Sequence, residues 1–321
     1  MKNIYLNIYR PNSINLKKAK KNVEDNNVIG LPTETVYGLA ANAYSDKSVK
    51  KIFKLKKRPI FNPLIIHFKN LEYLKKDAIC NDSFIKLYKA LCPGPITFIL
   101  NKSSKSKISK IANAKKKTIA VRFPNHKVAR NLLKILNFPL AAPSANISSK
   151  LSPTCANDVV DEFGNKIKFI LNGGQCKIGL ESTIIDLTGK PTILRQGIIT
   201  AETIYKILKK KITINKKPKT IKGPGQLKLH YSPGIPILMN KMYPKKNGAF
   251  ITFGKKFKGG KNNFNLSKND DLTEAASNLY KMMRKIKNKN FKSIAVCKIP
   301  DFGIGRAIND RLRKASYKWI N

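Results

Sequence analysis

The sequence predicts an α/β protein of two domains, the first built on a mixed sheet and the second on a small parallel sheet. Apolar strand-like runs alternate with amphipathic helical segments over the first two hundred residues. A lysine-rich stretch from Lys209 to Lys222 then leads into Gly-Pro-Gly at 223–225 and Ser-Pro-Gly at 232–234, a composition typical of a linker. The length of 321 residues suits two domains that each bury a core. We therefore divide the chain into a first domain at 1–210, a linker at 211–234 and a second domain at 235–321.

The elements of the first domain follow from the period of its apolar residues. Strands are predicted at Val28–Pro32, Pro63–Phe68, Ile96–Leu100, Thr118–Phe123, Leu140–Pro143, Phe169–Leu171, Thr183–Leu187 and Thr192–Leu194. Helices are predicted at Leu16–Val23, Asp46–Lys56, Asp82–Leu91, Asn125–Leu136, Asn157–Phe163 and Thr200–Lys210. Residue types that cap helix N-termini begin four of these helices, at Asp46, Asp82, Asn125 and Thr200.

The second domain has the same strand and helix patterns over a shorter length. Strands are predicted at Ile235–Met239, Ala249–Phe253 and Ser293–Ile299, and helices at Leu272–Lys287 and Arg306–Ser316. The glycine-, lysine- and asparagine-rich segment Gly254–Lys268 is expected to be a mobile loop without a function.

Composition excludes several classes of protein. A hydrophobic share of 42% excludes a wholly disordered chain, and no apolar run reaches the ~18–20 residues of a membrane-spanning helix. Met1 to Leu16 has no continuous apolar core, so we expect no signal peptide. The five cysteines are odd in number, scattered and without a C-x-x-C pair, which argues against a disulfide scaffold and a structural zinc site. A cytoplasmic protein is expected.

The formal net charge of +46 suits a protein that binds nucleic acid or another polyanion. However, only nine of the 64 basic residues are arginine, and lysine, asparagine and isoleucine, which are all abundant here, share A/T-rich codons. We therefore favour genomic drift over function as the source of most of the surface lysine, and the choice between the two stays open. We expect the functional charges among the few arginines, which can form bidentate hydrogen bonds with phosphate and carboxylate groups.

Polar residues recur where the predicted strands end, which is where α/β proteins bind ligands. Arg122 lies in an apolar strand, where an unpaired charge would cost several kcal/mol, so it must meet a carboxylate of the protein or of a ligand. Because only 18 residues are acidic, we favour the ligand. Phosphate-loop, dinucleotide-loop, serine-hydrolase and zinc-protease motifs are missing, and the three histidines have no metal-ligand spacing. Arginines, lysines, hydroxyls and amides without an evident base suit phosphoryl or nucleotidyl transfer.

An ordered set of short motifs resembles the YrdC-type threonylcarbamoyl-AMP synthases. The motifs of the first domain are Pro32-Thr-Glu-Thr-Val-Tyr-Gly38, Lys56-Lys-Arg58, Ala120-Val-Arg122, Ser144-Ala-Asn146, Glu181-Ser-Thr183 and Leu194-Arg195. The linker segment Pro224–Pro233, which includes His230-Tyr231, and the segment Gly303–Ala315 resemble the long, two-domain form of that family. The resemblance implies a twisted mixed-sheet YrdC-like domain followed by a small Rossmann-like parallel α/β domain.

The resemblance also implies an activity. Such an enzyme joins L-threonine, bicarbonate or CO2, and ATP into threonylcarbamoyl-AMP and releases pyrophosphate. A downstream threonylcarbamoyl transferase then acts on tRNA. Magnesium would arrive with ATP, and no metal site of the protein itself is expected. Two alternatives stay open: a non-catalytic RNA-binding module, which the charge supports and which would bind RNA weakly, and a carbamoyl transferase that acts on another amine.

Carried over from the family by matching motifs, the implied site has a threonine part and a nucleotide part. The threonine part comprises Thr35, His67, Arg122, Ala142 and Ser182. The nucleotide part comprises Lys56, Arg58, Asn62, Thr118, Ser144, Asn146, Ser152, Arg195, His230 and Tyr231. Of these, Lys56, Arg58 and Arg195 would neutralise the triphosphate and act in catalysis, and His230 and Tyr231 imply that the linker closes over the nucleotide as a lid.

Three positions depart from the family pattern. Lys57 and Ser149 stand where glycine is common among relatives, and Gln226 replaces a usual methionine. Lys57 is expected to add charge near the phosphates. Ser149 is expected to matter only if its turn requires a positive φ.

Overall fold

The structure is a computed structural model that describes residues 6–215, 222–226, 229–257 and 259–316. Segments 216–221 and 227–228 of the predicted linker lie outside the described residues. Across the described ranges no helix is long and apolar enough to span a bilayer.

The short apolar runs of the first domain form one mixed sheet. Its strands are β1 (Ile8–Tyr9), β2 (Ile29–Leu31), β3 (Gly38–Asn42), β4 (Ile65–His67), β5 (Ile96–Asn101), β6 (Thr118–Arg122), β7 (Leu140–Ala141), β8 (Ile170–Leu171), β9 (Thr183–Asp186), β10 (Thr192–Arg195) and β11 (Thr213–Ile214). Among the described residues these make an 11-stranded sheet in the order β1-β8-β2-β3-β7-β4-β6-β5-β9-β10-β11. Parallel and antiparallel pairs both occur, which confirms the predicted mixed sheet.

The helices of the first domain cover the apolar faces of this sheet. They are α1 (Ser13–Glu24), α2 (Asp46–Lys56), α3 (Leu71–Lys75), α4 (Asp82–Leu91), α5 (Lys127–Ile135), α6 (Ala156–Phe163) and α7 (Ala201–Leu208). In α5, for example, Val128, Leu132 and Leu133 recur at helical spacing and are buried against the sheet.

Three of the four predicted capping residues are wrong by one position. Thr200 caps its helix as predicted, through a hydrogen bond from the Thr203 amide. The caps of the other three helices are Ser45, Asn81 and His126, instead of Asp46, Asp82 and Asn125. Asp46 and Asp82 lie in the first helical turn, where a carboxylate interacts favourably with the positive end of the helix dipole.

The second domain contains a four-stranded sheet whose pairs are all parallel, as predicted. Its strands are β12 (Ile237–Leu238), β13 (Gly248–Thr252), β14 (Asn263–Asn265) and β15 (Ser293–Val296), in the order β12-β15-β13-β14 within the described residues. Its helices are α8 (Leu272–Lys287) and α9 (Gly305–Ser316).

Sequence periodicity missed strands that owe their existence to tertiary pairing. Strand β3 is Gly-Leu-Ala-Ala-Asn, a low-propensity sequence that pairs with β2 and β7 and is almost wholly buried. Strand β14 lies inside Gly254–Lys268, and so the expectation that this segment is only a loop is wrong. It pairs with β13 and buries Phe264.

The two domains share a hydrophobic core. Val36 and Leu180 of the first domain pack in the same cluster as the α8 residues Leu279 and Tyr280. Gly179 has a φ of +70°, and a Cβ on it would lie 2.6 Å from the Ser277 carbonyl oxygen of α8. The change from one sheet to the other occurs between Ile214 and Ile237, and the boundaries at 210 and 234 stay predictions.

Candidate active site

A cavity forms where loops that follow the central strands of the first domain meet the linker. The space inside the cavity and its mouth, open solvent included, is about 510 Å³. Several predicted site residues line it: His67, Arg122 and Ala142 of the threonine part, and Arg58, Ser144, Arg195, His230 and Tyr231 of the nucleotide part. The fold thus brings together segments that are distant along the chain.

Other predicted site residues do not line the cavity but contact residues that do. Asn62 accepts a hydrogen bond from Arg58 and Ser182 accepts one from Arg195. Ser152 donates to Glu181, which itself lines the cavity. The remaining residues of this layer are Thr35, whose hydroxyl is 2.9 Å from that of Thr33, and Lys56 and Asn146.

Thr118 is placed apart from the others. It begins β6, whereas Arg122 ends the same strand at the cavity. Thr118 pairs with Asn101 of β5, and its carbonyl accepts from the Asn113 side chain. It does not line the cavity.

Arg122 and His67 are neighbours on the parallel strands β6 and β4. The Arg122 Nη2 atom lies 2.8 Å from Glu34 Oε1, and both side chains are less than a tenth exposed. Arg122 therefore meets a carboxylate of the protein, and its expected contact with a ligand carboxylate stays a prediction. The Arg122 Nε atom and the His67 Nδ1 atom have no hydrogen-bond partner, so donors and acceptors stay available beside the cavity.

His67 is held in its neutral form. Burial, and next the charge of Arg122, hold the pKa of His67 well below its usual value. A neutral imidazole beside a guanidinium can accept or donate one hydrogen bond without adding charge to the threonine part.

A row of hydroxyls connects this part of the site to Arg195. Thr97 of β5 is opposite Arg122, and its hydroxyl oxygen is 2.7 Å from that of Ser182. Arg195 donates to the Ser182 hydroxyl at 3.1 Å and to the Ser182 carbonyl at 3.0 Å. Thr97 was missed as a site residue, although a polar residue within the apolar run Ile96–Leu100 was a signal for it.

Lys56, Arg58 and Arg195 form a buried cluster of positive charge. The Lys56 ammonium group donates to the carbonyl oxygens of Ser144 and Asn146, which fixes the Ser144–Asn146 loop. Arg58 donates to the Asn62 carbonyl at 2.9 Å and to the Asn62 side chain at 2.6 Å. Within the described parts of the chain, none of the three forms an ion pair with a carboxylate.

The pKa values of these cations reflect their burial first and their mutual repulsion second. Burial, and next the charge of Arg58, hold the pKa of Lys56 well below its usual value. Burial and the charge of Arg195 lower the pKa of Arg58 to about 9. An anion that binds here would relieve both penalties, because it supplies the opposite charge that the protein does not.

The linker forms one wall of the cavity. Gly225 has a φ of +79°, and a Cβ on it would lie 2.8 Å from both Arg195 Cδ and the Tyr231 hydroxyl oxygen, so only glycine fits. The rings of His230 and Tyr231 are 4.1 Å apart, and both residues are buried. Burial lowers the pKa of His230 to about 3, and the Tyr231 hydroxyl has no hydrogen-bond partner.

Two departures from the family pattern occupy left-handed backbone. Lys57 has a φ of 48° and Ser149 a φ of 71°, which explains why glycine suits both positions. The side chain of Lys57 lines a surface groove with Lys51 and Lys54 and does not line the cavity, and the expectation that its charge lies near the phosphates stays a prediction. Gln226 accepts from the amides of Lys222 and Gly223 and so shapes the linker.

No metal site of the protein's own is apparent in the described ranges. No group of three or more histidine, cysteine, aspartate or glutamate side chains there is arranged to hold a metal ion. Glu181 is the carboxylate that lines the cavity, and it is already engaged by Ser152, Tyr280 and Arg311.

Two family models match nearly the whole chain. The Sua5, YciO and YrdC model, which carries the description telomere recombination, matches residues 21–197. The model for the threonylcarbamoyl-AMP synthase C-terminal domain matches residues 199–316.

Relatives of known name are similar over the same length. The chain is 36% identical to the threonylcarbamoyl-AMP synthase of Pyrococcus abyssi, with 92% of each chain covered. It is 31% identical to the enzyme of that name from Bacillus subtilis, with 95% of this chain and 94% of the relative covered. The crystal structure of P. abyssi Sua5 complexed with L-threonine superposes with a TM-score of 0.87 at 34% identity and covers 96% of both chains.

Proposed function

The chain belongs to the threonylcarbamoyl-AMP synthase family, and from this premise we propose that it joins L-threonine, bicarbonate or CO2, and ATP into threonylcarbamoyl-AMP. Pyrophosphate is the second product. The observation that carries the proposal is the buried cluster of Lys56, Arg58 and Arg195, which has positive charge without carboxylate partners beside a cavity that also contains Arg122.

The cationic cluster suits a triphosphate. Arg58 and Arg195 line the cavity and would contact phosphate oxygens directly. Lys56 lies behind the cavity lining and adds its positive charge there. It also holds the Ser144–Asn146 loop in place by donating to the Ser144 and Asn146 carbonyl oxygens. Once ATP binds, the attraction of its negative charge to each cation would offset their mutual repulsion, which favours a polyanion as the ligand.

The other part of the cavity suits an amino acid. Arg122 retains donors beyond its ion pair with Glu34 and would bind the threonine carboxylate, with neutral His67 alongside. Ala142 leaves room for the amino acid backbone, and the hydroxyls of Thr35 and Ser182 lie just behind the lining. The crystallised complex of the P. abyssi relative with L-threonine supports threonine as the ligand here.

The reaction then has two stages. The threonine ammonium group loses a proton, and its amine adds to CO2 with loss of a second proton to form a carbamate. A carbamate oxygen attacks the α-phosphorus of ATP, and the bond to pyrophosphate breaks as the new P–O bond forms. Placing the reactants side by side can supply an effective molarity of about 10⁵ M or more. The closed linker excludes water, which would hydrolyse the mixed anhydride product.

Magnesium would enter this reaction with ATP. The residues present fit that role only indirectly, because Glu181 is committed to other partners and the remaining lining offers amides, hydroxyls and cations. Mg²⁺ in ATP sites commonly keeps several waters and binds phosphate oxygens, which requires no carboxylate cluster. When bound, it would neutralise phosphate charge.

The product would pass to a threonylcarbamoyl transferase that acts on tRNA. The proposal places this reaction in the cytoplasm, where ATP and tRNA are available. We assign no RNA-binding role to the surface lysines.

Pyrophosphate release tests the proposal. Purified protein with threonine, bicarbonate, ATP and Mg²⁺ should release pyrophosphate and form threonylcarbamoyl-AMP, and omission of any reactant should abolish the signal. Arg58→Gln should lower the rate strongly, whereas Arg10→Gln, at an exposed position, should not. Release that is independent of threonine would contradict the proposed substrate, and full activity with another amine would indicate the alternative transferase.

A further inference from the structure

Glu181 of the first domain connects the cavity to the second domain. Its carboxylate accepts a 2.6 Å hydrogen bond from Ser152 of the first domain. The Tyr280 hydroxyl of α8 is 3.1 Å from both carboxylate oxygens, and Arg311 of α9 donates to one of them at 2.8 Å. Burial alone would raise the pKa of Glu181, but the charges of Arg311 and Arg195 outweigh burial and lower that pKa to about 2. Glu181 is therefore ionised and paired across the domain boundary.

Arg311 of the second domain reaches into this wall as far as Glu181. Its side chain is fully buried, and it also pairs with Asp310 at 2.8 Å. A buried cation of this kind is costly to desolvate, and a hydrophobic side chain of similar volume would often stabilise the fold as well. Its presence thus calls for a role other than stability alone.

The same arginine faces the linker. The Arg311 guanidinium carbon is 5.0 Å from the centre of the Tyr231 ring, which is within the range of a cation–π contact. Tyr280 stacks on the same Tyr231 ring, and the two ring centres are 5.9 Å apart. Arg311 therefore contacts both Glu181, whose next residue Ser182 holds Arg195, and Tyr231 of the linker.

Helix α9 holds the linker at two further points. Lys314 donates from its ammonium group to the Gly225 carbonyl at 2.9 Å, and its own carbonyl accepts from the His230 amide at 3.2 Å. One helix of the second domain thus fixes both described parts of the linker that line the cavity.

We propose that Arg311 is a positioning residue of the nucleotide site, through which docking of the second domain sets the places of Tyr231 and of the Ser182–Arg195 pair. The inference rests on the proposed function, because it states that the geometry of the nucleotide part of that site depends on the second domain. Arg311 does not line the cavity and is not a catalytic residue.

A second arginine provides a matched control. Arg284 of α8 also crosses the domain boundary, where it donates to the Leu151 carbonyl at 2.7 Å and lies 3.4 Å from Asp158. It does not line the cavity. If docking strength alone mattered, Arg311→Lys and Arg284→Lys would have similar effects on catalysis.

The test compares steady-state pyrophosphate release by the two variants in the full chain. Arg311→Lys keeps the charge but cannot contact Glu181, Asp310 and Tyr231 at once. We expect its KM for ATP to rise about tenfold and its kcat to fall, while the threonine affinity measured by calorimetry, which Arg311 affects only through Ser182, falls less than the ATP affinity. Arg284→Lys should leave the KM for ATP nearly unchanged.

Tyr280→Phe is the second variant and tests the same coupling if Arg311→Lys does not fold. It removes only the hydroxyl that donates to Glu181 and keeps the ring against Tyr231. A rise of about threefold in the KM for ATP is expected, with no change for Tyr243→Phe at an exposed position.

The outcomes separate the two proposals. A parent protein that releases no pyrophosphate would overturn the proposed function, whatever the variants do. An active parent with equal effects of Arg311→Lys and Arg284→Lys, or with an unchanged KM for ATP in Tyr280→Phe, would overturn the positioning role alone.

Discussion

Replacement of Arg122 by lysine separates the charge of this residue from its geometry. Lysine can still pair with Glu34, which lies 2.8 Å from the Arg122 guanidinium, so the buried carboxylate keeps a cation. Complete removal of the charge would leave that carboxylate unpaired and cost about 3–5 kcal/mol of stability. Arg122→Lys therefore tests substrate binding with the smallest change to the fold.

The expected magnitude follows from the bond that is lost. Arg122 has to serve Glu34 and the threonine carboxylate together, which a planar guanidinium with five donors can do and a single ammonium group cannot do well. A hydrogen bond to a charged group contributes about 1.5–3 kcal/mol, and about 1.4 kcal/mol corresponds to a factor of ten. The KM for threonine should therefore rise about 10- to 150-fold.

The assay is pyrophosphate release at varied threonine with ATP and bicarbonate saturating, together with ATP binding measured by calorimetry. ATP affinity should change little, because among the described residues no hydrogen bond or ion pair joins Arg122 to Arg58 or Arg195. Arg10→Lys makes the same chemical change on the surface and is the control. If ATP affinity fell while the KM for threonine stayed constant, the role given to Arg122 would be refuted.

Three further predictions concern selectivity and stability. Valine should support at least tenfold less pyrophosphate release than threonine, because it leaves site hydroxyls unpaired at about 1–3 kcal/mol; equal rates would contradict this. Ser149→Gly should raise the free energy of unfolding by about 1 kcal/mol by relieving a φ of 71°, whereas Ser148→Gly should not, as urea titration can show. The free energy of unfolding should fall as the pH decreases from 7 toward 5. The native pKa values of His67 and His230 lie below the unfolded value of about 6.5, so the unfolded chain binds more protons over this range. The slope should approach about 3 kcal/mol per pH unit for the two groups, and equal unfolding free energies at pH 7 and 5 would contradict it.

Local sequence patterns predicted the elements whose own residues determine them. Helices such as α2 and α4 were predicted with the bounds that the structure has, because amphipathic spacing and flanking polar residues act over a few positions. Strand β3 was missed because its glycine and alanines prefer no strand by themselves and pair only in the assembled sheet. The capping residue can differ by one position because neighbouring polar residues are equally suitable in sequence.

The candidate site could be predicted only in part. Burial of a charge indicated that Arg122 meets a carboxylate, but the choice between protein and ligand depended on Glu34, which is distant in sequence. Likewise, nothing local to Glu181 indicates a partner at Arg311, since the two residues are 130 positions apart. The family resemblance supplied residue roles, whereas contacts between segments required the fold.

The distribution of charge within the protein explains why its net charge is a poor guide to its chemistry. Among the described residues the buried lysine and arginine side chains are Lys56, Arg58, Arg122, Arg195 and Arg311. Four of the nine arginines of the chain are in this group, whereas Lys56 is the one lysine in it among those that the structure describes. Each of the five lines the cavity or contacts a group that does. A drift toward lysine can therefore accumulate on the surface, where solvent screens each charge, while the buried cations stay fixed by the polar groups and carboxylates around them.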